Sequence, residues 1–565
     1  MLAVFAWDAR TADSELRHAE RQVGALQDQA LAGDRERVSE LAEDIREHTG
    51  AAREALTGPH WTIASKLPWL GENVTAVQTV SVAVDDLANN ALGDLVDAIE
   101  VVDPANLAPD NGRIDIAPIA EVAPKVVAAN ETVQASAGAL EEIDTESLVG
   151  QVATAVEQLS GQVDEIASLT GTASRAVQLI PPMMGIDEPR EYLLLVQNNA
   201  EPRATGGIPG AVILLRAEEG AIEIVDQRDA GAFGPYGEND PVLQLRPAER
   251  SLYGTQLGRF MADVTFTPDF PRSAELAREM WRREFGTEVD GVLSVDPVAL
   301  GALLGPTGAV TLPTGHELTA DTAAQILLNQ VYLDIEDPAQ QDLFFEAAAS
   351  AIFDRVLSGA GDPTEVIGVL DEVAAEGRLM VWSVDAGEQR LLSETNLSGA
   401  LRGHYRDAPI VGVYVNDLSA AKIGYYQHVS AKVQAVGCGP GGPQNLHVSV
   451  AVRSQVPPNY SEMPPYLIGD GSPIAVGDMR SQIVLYAPRG GQITNFVASD
   501  GQTAGTPAVH DGLSAVSTRV TLSPGETRTL DYDVRLQEPL AVDPIVRVTP
   551  GPADGQFTAS TSPCA

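Results

Sequence analysis

A continuous apolar run, Tyr192-Leu193-Leu194-Leu195-Val196, stops abruptly at Gln197-Asn198-Asn199. A glycine turn carrying one arginine follows, Glu201-Pro202-Arg203-Ala204-Thr205-Gly206-Gly207. Five apolar residues bounded by turn residues predict a buried strand. A second run, Ala211 to Leu215, leads through Glu219-Gly220 into Ile222-Glu223-Ile224-Val225 and ends on Arg228-Asp229. Glu-Gly between two such runs predicts a tight turn. Two strands therefore end in polar loops, each holding an arginine. In sheets flanked by helices, ligands gather at strand ends of this kind. Arg203, Arg228 and Asp229 are accordingly the first candidates for a site.

The rest of the chain sets limits. At 565 residues it has room for three or four domains of about 150 residues each. Its hydrophobic fraction of 44% supports a large core. Asp plus Glu number 79 against 36 Lys plus Arg, a formal charge of −43. That balance argues against a nucleic-acid partner, since phosphate contacts need clustered Lys and Arg, though a local basic site can exist within an acidic protein. It also argues against a polybasic grip on anionic lipid. Gly-x-Ser-x-Gly, His-Glu-x-x-His and Walker-type glycine loops are absent from the sequence. The eight histidines are scattered, and His316, His404 and His447 have no partner at ligand spacing. The two cysteines, Cys438 and Cys564, form no zinc motif. A disulfide between them, pinning the tail, is the expectation for a protein outside the cytoplasm. The alternative is two inert thiols.

Met1-Leu2-Ala3-Val4-Phe5-Ala6-Trp7 is apolar but far short of the ~20 residues that span a bilayer. With Trp7 at its polar edge, it is expected to be the remnant of an N-terminal membrane anchor. The alternative is a short apolar start tucked against the first helix. Residues 8–180 predict a helical stalk or bundle. Val152, Val156, Leu159, Val163, Ile166 and Leu169 form one helical stripe. Leu16, Val23 and Leu26, then Val38, Leu41 and Ile45, form another. Residues 181–420 alternate strands and helices, predicting a sheet covered by helices. Asp296-Pro297 opens one of these helices, Asp as the cap and Pro in the first turn. Ala309 to Leu312 and Ile410 to Val415 are among the strands. Residues 421–565 carry short strands separated by Gly, Pro and Asp clusters, predicting a β-sandwich. The fold class is thus multidomain α+β.

The segment Gln197 to Gly207 resembles the signature of an actinobacterial family known as domain of unknown function 4012. So do Asp263, Thr267-Pro268-Asp269-Phe270-Pro271, Val289-Asp290-Gly291-Val292, Asp296-Pro297 and Asp337-Pro338-Ala339-Gln340-Gln341-Asp342. The resemblance spans most of residues 60 to 430 and carries no established activity. That family in turn resembles, remotely, the LytR-CpsA-Psr phosphotransferases. These membrane-anchored enzymes move glycopolymers from a polyprenyl-pyrophosphate carrier onto the cell wall. They grip pyrophosphate with strand-end arginines and hold magnesium with aspartates.

The resemblance implies a cell-envelope protein on the extracytoplasmic face of the membrane, with a LytR-CpsA-Psr-like α/β domain. It implies that Arg203 and Arg228 bind phosphate, and that Asp229 holds Mg2+ or orients an arginine. Asn198, Asn199 and Asp263 are further ligand contacts, and Gly206 and Gly207 let the backbone approach the ligand. The bland counterpart for Arg203 is a buried pair with Glu201 or Asp229, and for the glycines a plain turn. Asp263, Asp269 and Asp290 are weighed as a cation cluster against ordinary turn and cap roles. The sequence departs from the transferase pattern in two places. Ala204-Thr205 follows Arg203, and no arginine falls within Tyr332 to Gln341. Two functions therefore compete. One is a protein that binds or transfers polyprenyl-pyrophosphate-linked glycopolymer. The other is a non-catalytic envelope scaffold that binds cell-wall polysaccharide or protein through the sandwich.

Overall fold

The computed structural model describes every residue except 1, 32–34, 69, 100, 102–107, 111, 407, 439–443, 504, 538–539, 541, 553–556 and 561–565. The chain divides into two compact units, residues 1–108 with 114–188 and residues 109–113 with 189–565.

The first unit is helical. It comprises α1 (Leu2–Leu31), α2 (Arg35–Ala55), α3 (Pro59–Ala64), α4 (Gly71–Asn90), α5 (Leu92–Ile99), α6 (Ala117–Glu141) and α7 (Gly150–Met183). Val38, Leu41 and Ile45 of α2 meet Ala19 and Leu26 of α1 in one cluster, as the helical stripe predicts. The stripes are only partly buried. Val156 and Val163 of α7 are inside, but Leu169 is 66% exposed and Val23 of α1 50% exposed. A helix whose main neighbour lies on one side buries a narrower face than its apolar pattern offers. The apolar start is the first turns of α1, and Trp7 is 68% exposed. Among the described residues no helix is long and apolar enough to cross a membrane.

The second unit is built on a five-stranded sheet. Its strands are β1 (Arg190–Arg203), β2 (Gly206–Glu218), β3 (Ala221–Asp229), β4 (Gly291–Val295) and a later strand, Leu379–Ser383. That later strand is β7, because a two-stranded ribbon, β5 (Val310–Thr311) and β6 (Glu317–Leu318), intervenes. The order is β3-β2-β1-β4-β7. β1 and β4 are parallel and the other pairs antiparallel. Successive side chains of β1 point to opposite faces. Leu193 and Leu195 join a core with Phe270 and Trp281, while Leu194 and Val196 pack against Val295, Ala299 and Val373. Burial on both faces is why the run is continuously apolar.

The covering helices are α8 (Pro247–Tyr253), α9 (Phe270–Phe285), α10 (Pro297–Thr307), α13 (Pro338–Leu357), α14 (Pro363–Ala375) and α15 (Ala386–Leu392). Between α10 and α13, α11 (Ala323–Gln325) passes through a π turn, Ile326–Gln330, into α12 (Val331–Asp334). The returning strand expected at Ala309 to Leu312 is only β5, two residues long and paired to β6 outside the main sheet.

The C-terminal region forms two largely antiparallel sheets. One contains β13 (Gln492–Ala498), β16 (Thr527–Arg535), β11 (Gln444–Ser454), β10 (Gln427–Cys438) and β18 (Phe557–Ser560), in that order. The other contains β14 (Thr506–His510), β15 (Leu513–Leu522), β12 (Met479–Tyr486), β9 (Ala408–Asp417) and β17 (Ile545–Val548), with β8 (His404–Tyr405) paired to β9. Residues of both sheets share one core, including Val413, Val450, Leu485 and Tyr532. Ile410 to Val415, expected among the strands of residues 181–420, lies in β9 and pairs with β12 and β17. Its apolar run arises because Val411, Val413 and Val415 face that shared core while Tyr414 packs against the α9 core. α16 (Pro465–Ile468) lies in the loop before β12. The Cys438 side chain and Cys564 lie outside the described residues.

One ion pair fixes the entry to α8. Glu249 is fully buried, accepts from the Arg246 backbone N–H at 2.7 Å and receives Arg272 Nε at 2.9 Å. Removing one partner of a buried pair strands the other charge. Glu249→Ala is expected to lower the stability of the second unit by about 3–5 kcal/mol. Urea denaturation followed by tryptophan fluorescence measures it, and an unchanged midpoint would refute it.

Candidate functional site

β4 ends at Val295, opposite Val196, while β1 runs on to Arg203, and a dense polar network closes the edge beyond β4. Asp296, just after β4, is 2% exposed. One of its oxygens accepts from Ala299 N at 2.8 Å, the predicted cap of α10. The other receives Arg378 NH1 at 2.8 Å and Asn199 Nδ2 at 2.9 Å. Arg378 reaches on to the Gly551 carbonyl and Asn199 to that of Pro550. The C-terminal segment is thereby tied to the sheet edge.

Beside this network lies a small chamber of about 60 Å3. Thr205, Pro268, Asn396, Arg402, Tyr414 and Arg547 are among its lining residues. A larger groove of about 480 Å3 shares Asn396, Tyr405, Arg547 and Pro550 with the chamber and extends along Val429, Val546 and Phe557. Arg402 donates to the Ser393 and Thr395 carbonyls and to Ser398 Oγ. Arg547 donates to the Ala375 carbonyl and to Asn396 Oδ1 at 2.9 Å. Among the described residues the hydrogen bonds of both guanidiniums go to neutral oxygens, and Arg402 also lies over the Tyr405 ring. Burial, with Arg547 nearby, pushes Arg402 below the ordinary arginine value, against a smaller opposing effect of Tyr405. The Thr205 hydroxyl is buried and has no hydrogen-bond partner. Glu376 is the one carboxylate among the described residues lining chamber or groove, and it pairs with Arg378 at 2.5 Å. Two cations without an acid, and a hydroxyl without a partner, make this a place for an anion.

The Thr267 to Pro271 motif builds the chamber's other wall. Asp269 accepts from Leu401 N at 3.0 Å, and Phe270 N donates to the Gly399 carbonyl, so the motif holds the loop that presents Arg402. Gly399 itself takes φ +54 against the Phe270 side chain.

The candidates named from sequence fall elsewhere. Arg203 is buried, pairs with Asp263 at 3.1 Å, donates to the Asp417 carbonyl and stacks on Phe266 at 4.7 Å. Its acid is Asp263, not Glu201 or Asp229. Arg228 pairs with Asp226 at 2.7 Å and lies 5.2 Å from the Phe285 ring of α9. Arg203 stands opposite Gly206 and Arg228 opposite Val212, six residues apart on β2. That separation is about 20 Å, so the two arginines do not converge. Asp229 caps the next turn through Gly231 N at 2.7 Å. Gly206 has φ +138, and a Cβ on Gly207 would stand 2.1 Å from the Asn198 carbonyl oxygen. The close approach these glycines allow is to their own neighbouring strand. Asp263, Asp269 and Asp290 serve three separate partners, Arg203, Leu401 N and Glu191 N.

Asn198 and Asp229 line a different cleft, of about 470 Å3, between the sheet and α13. Asn198 donates to the Tyr332 hydroxyl at 2.6 Å. The cleft's lysine, Lys422, pairs with Glu201 at 2.5 Å and lies 4.9 Å from the Tyr332 ring. Asp229, Asp342 and Glu346 also line it, and burial together with Asp229 raises the Asp342 carboxyl. Arg228 lines it too, paired with Asp226, so both of the cleft's cations are neutralised while its three acids repel an anion.

Arg402, Arg547, Thr205 and Arg378 were not signalled by the sequence. Arg547 sits in an ordinary apolar strand and Arg402 in a loop. What distinguishes them is that both line one chamber without an acidic partner among the described residues.

Residues 187–332 match the family described as Protein of unknown function (DUF4012). The match includes Thr205, Asp269 and Asp296 and stops short of Arg378, Arg402 and Arg547. No curated protein and no solved structure matches the chain.

Burial pushes the Asp269 carboxyl up to about 6, only partly offset by the Leu401 N–H. A carboxyl raised above its unfolded value of about 3.9 stabilises the fold fully below that pH, and the contribution is lost as pH rises through about 6. Asp269→Asn is expected to gain about 2–3 kcal/mol over wild type between pH 4 and pH 7. Urea denaturation across that range measures it, and a pH-independent difference would refute it.

Proposed function

We propose that this protein binds a polyprenyl-pyrophosphate-linked glycopolymer at the extracytoplasmic face of the cell membrane. The phosphate sits against Arg402, Arg547 and Thr205, and the adjoining groove takes the attached group. The observation that carries this reading is the pair of guanidiniums, unmatched by any described carboxylate in a chain of charge −43, facing one chamber with a partnerless buried hydroxyl. Its place supports the reading, because the C-terminal edge of parallel strands is where open sheets hold ligands. The resemblance to the LytR-CpsA-Psr enzymes supplies the ligand class. Those enzymes also use arginines at strand ends.

Binding is favoured over transfer. Phosphoryl transfer depends on cations positioned around the moving group, commonly including Mg2+ held by carboxylates. The described lining of the chamber offers only Glu376, already paired, so these residues do not fit a magnesium ion. In this reading the two C-terminal sheets form a β-sandwich whose β9 and β17 wall the groove.

Farnesyl pyrophosphate is a soluble probe of the head and the first prenyl units. Calorimetry on the whole chain is expected to show saturable binding without added Mg2+. Arg402→Ala and Arg547→Ala should each weaken it about 10- to 100-fold, while Arg228→Ala leaves it unchanged. Absence of binding by wild type, or equal binding by all variants, would overturn the proposal.

A further inference from the structure

The helical unit holds a second constellation, unrelated to the chamber. α1 and α2 lie side by side, and His18 of α1 faces Asp44 and His48, one turn apart on α2. One ligand atom from each of the three residues lies within 4.8 Å of the others. His18 Nε2 is 3.6 Å from Asp44 Oδ2, and His48 Nε2 is 3.5 Å from Asp44 Oδ1. The two rings stack with centroids 3.9 Å apart. Ligand atoms at tetrahedral positions around a zinc-sized ion, with bonds of 2.0–2.1 Å, stand about 3.3 Å apart. The three ligand atoms lie within 4.8 Å of one another, so the side chains must draw together by no more than about 1.5 Å to close on an ion.

The surrounding groups prepare this geometry. His48 Nδ1 lies 2.5 Å from Glu15 Oε2. A carboxylate only accepts, so Nδ1 carries the proton, and Nε2, facing Asp44, is the nitrogen left for an ion. A carboxylate behind a histidine is the usual outer support of a metal-binding imidazole. Gln22 donates to Asp44 Oδ2 at 2.7 Å and holds the carboxylate in place. Arg21, exposed, donates to His18 Nδ1 at 3.3 Å, and Gln22 Nε2 lies 3.3 Å from His18 Nε2, so an ion bound at Nε2 displaces a proton and the Gln22 contact. His18, Asp44 and His48 are all half-buried, so solvent reaches the position a fourth ligand would take.

We propose that His18, Asp44 and His48 bind one divalent cation of the zinc class and clamp α1 to α2. Two imidazoles and one carboxylate suit Zn2+, Co2+ or Ni2+ rather than Ca2+ or Mg2+, which prefer all-oxygen sites. The proposal is independent of the chamber and its ligand.

The test titrates the metal-free full chain with Co2+, read by its visible ligand-field bands, and then with Zn2+ by calorimetry. Wild type is expected to bind one Co2+ with a tetrahedral spectrum that Zn2+ abolishes, and Zn2+ should raise the melting temperature of the helical unit. His18→Gln and His48→Gln should each lose the spectrum and at least about tenfold in affinity, and Glu15→Gln should weaken binding about tenfold or more. His447→Ala removes a histidine that also faces acids, 2.9 Å from Asp533, and should change nothing. Circular dichroism confirms that the variants fold. No tetrahedral Co2+ spectrum in wild type, or Zn2+ affinity unchanged in the His18 and His48 variants, would overturn the site and leave only diffuse binding by an acidic surface.

Discussion

The Asp296 carboxylate sits almost out of water and holds four parts of the second unit together. It caps α10, receives Arg378 from the approach to β7, receives Asn199 from β1, and through these two reaches the carbonyls of Gly551 and Pro550. A buried charge persists only if its partners are in place, so the strand ends, the helix and the C-terminal segment assemble together or not at all. Arg547 lies three residues before Pro550, and Glu376 lies two before Arg378. The chamber is therefore positioned by the same carboxylate that closes the sheet edge.

Charge accounting explains why this chamber, and not the larger cleft beside α13, is the better anion site. In a chain with twice as many acids as bases, the cations bordering the other sites find a carboxylate. Arg203 takes Asp263, Arg228 takes Asp226, Lys422 takes Glu201 and Arg272 takes Glu249. Those cations are already neutralised, whatever cavity they border. Arg402 and Arg547 are held by carbonyl, hydroxyl and amide oxygens, which orient a guanidinium without cancelling its charge. The same logic in reverse marks α1 and α2. There, two histidines and two carboxylates converge, an arrangement suited to a cation.

Much of the scaffold was legible. The apolar run Tyr192 to Val196, the Asp296-Pro297 cap, the β12 and β15 strands and the helical first unit follow from local periodicity and turn chemistry. Errors arose where one pattern serves two environments. Ile410 to Val415 has the continuous apolarity of a strand between helices, yet it lies between two cores of a different kind. Ile166 and Leu169 continue an apolar stripe but remain outside, because a stripe gives the direction of a face and not the width of its neighbour. The candidate site was legible in place but not in membership. The strand end at Asn199 is part of it, while its cations come from residues 402 and 547.

The sequence by itself determined most of the segments that become helix or strand, the net charge of −43, and the match of residues 187–332 to a family model. Tertiary structure decided which arginines keep an uncancelled charge and which histidines meet. The reason is range. Periodicity, caps and turns act over a few residues. Ion pairs such as Arg378 with Asp296 or Arg203 with Asp263 join positions 82 and 60 residues apart, and no local pattern announces which acid a distant base will find.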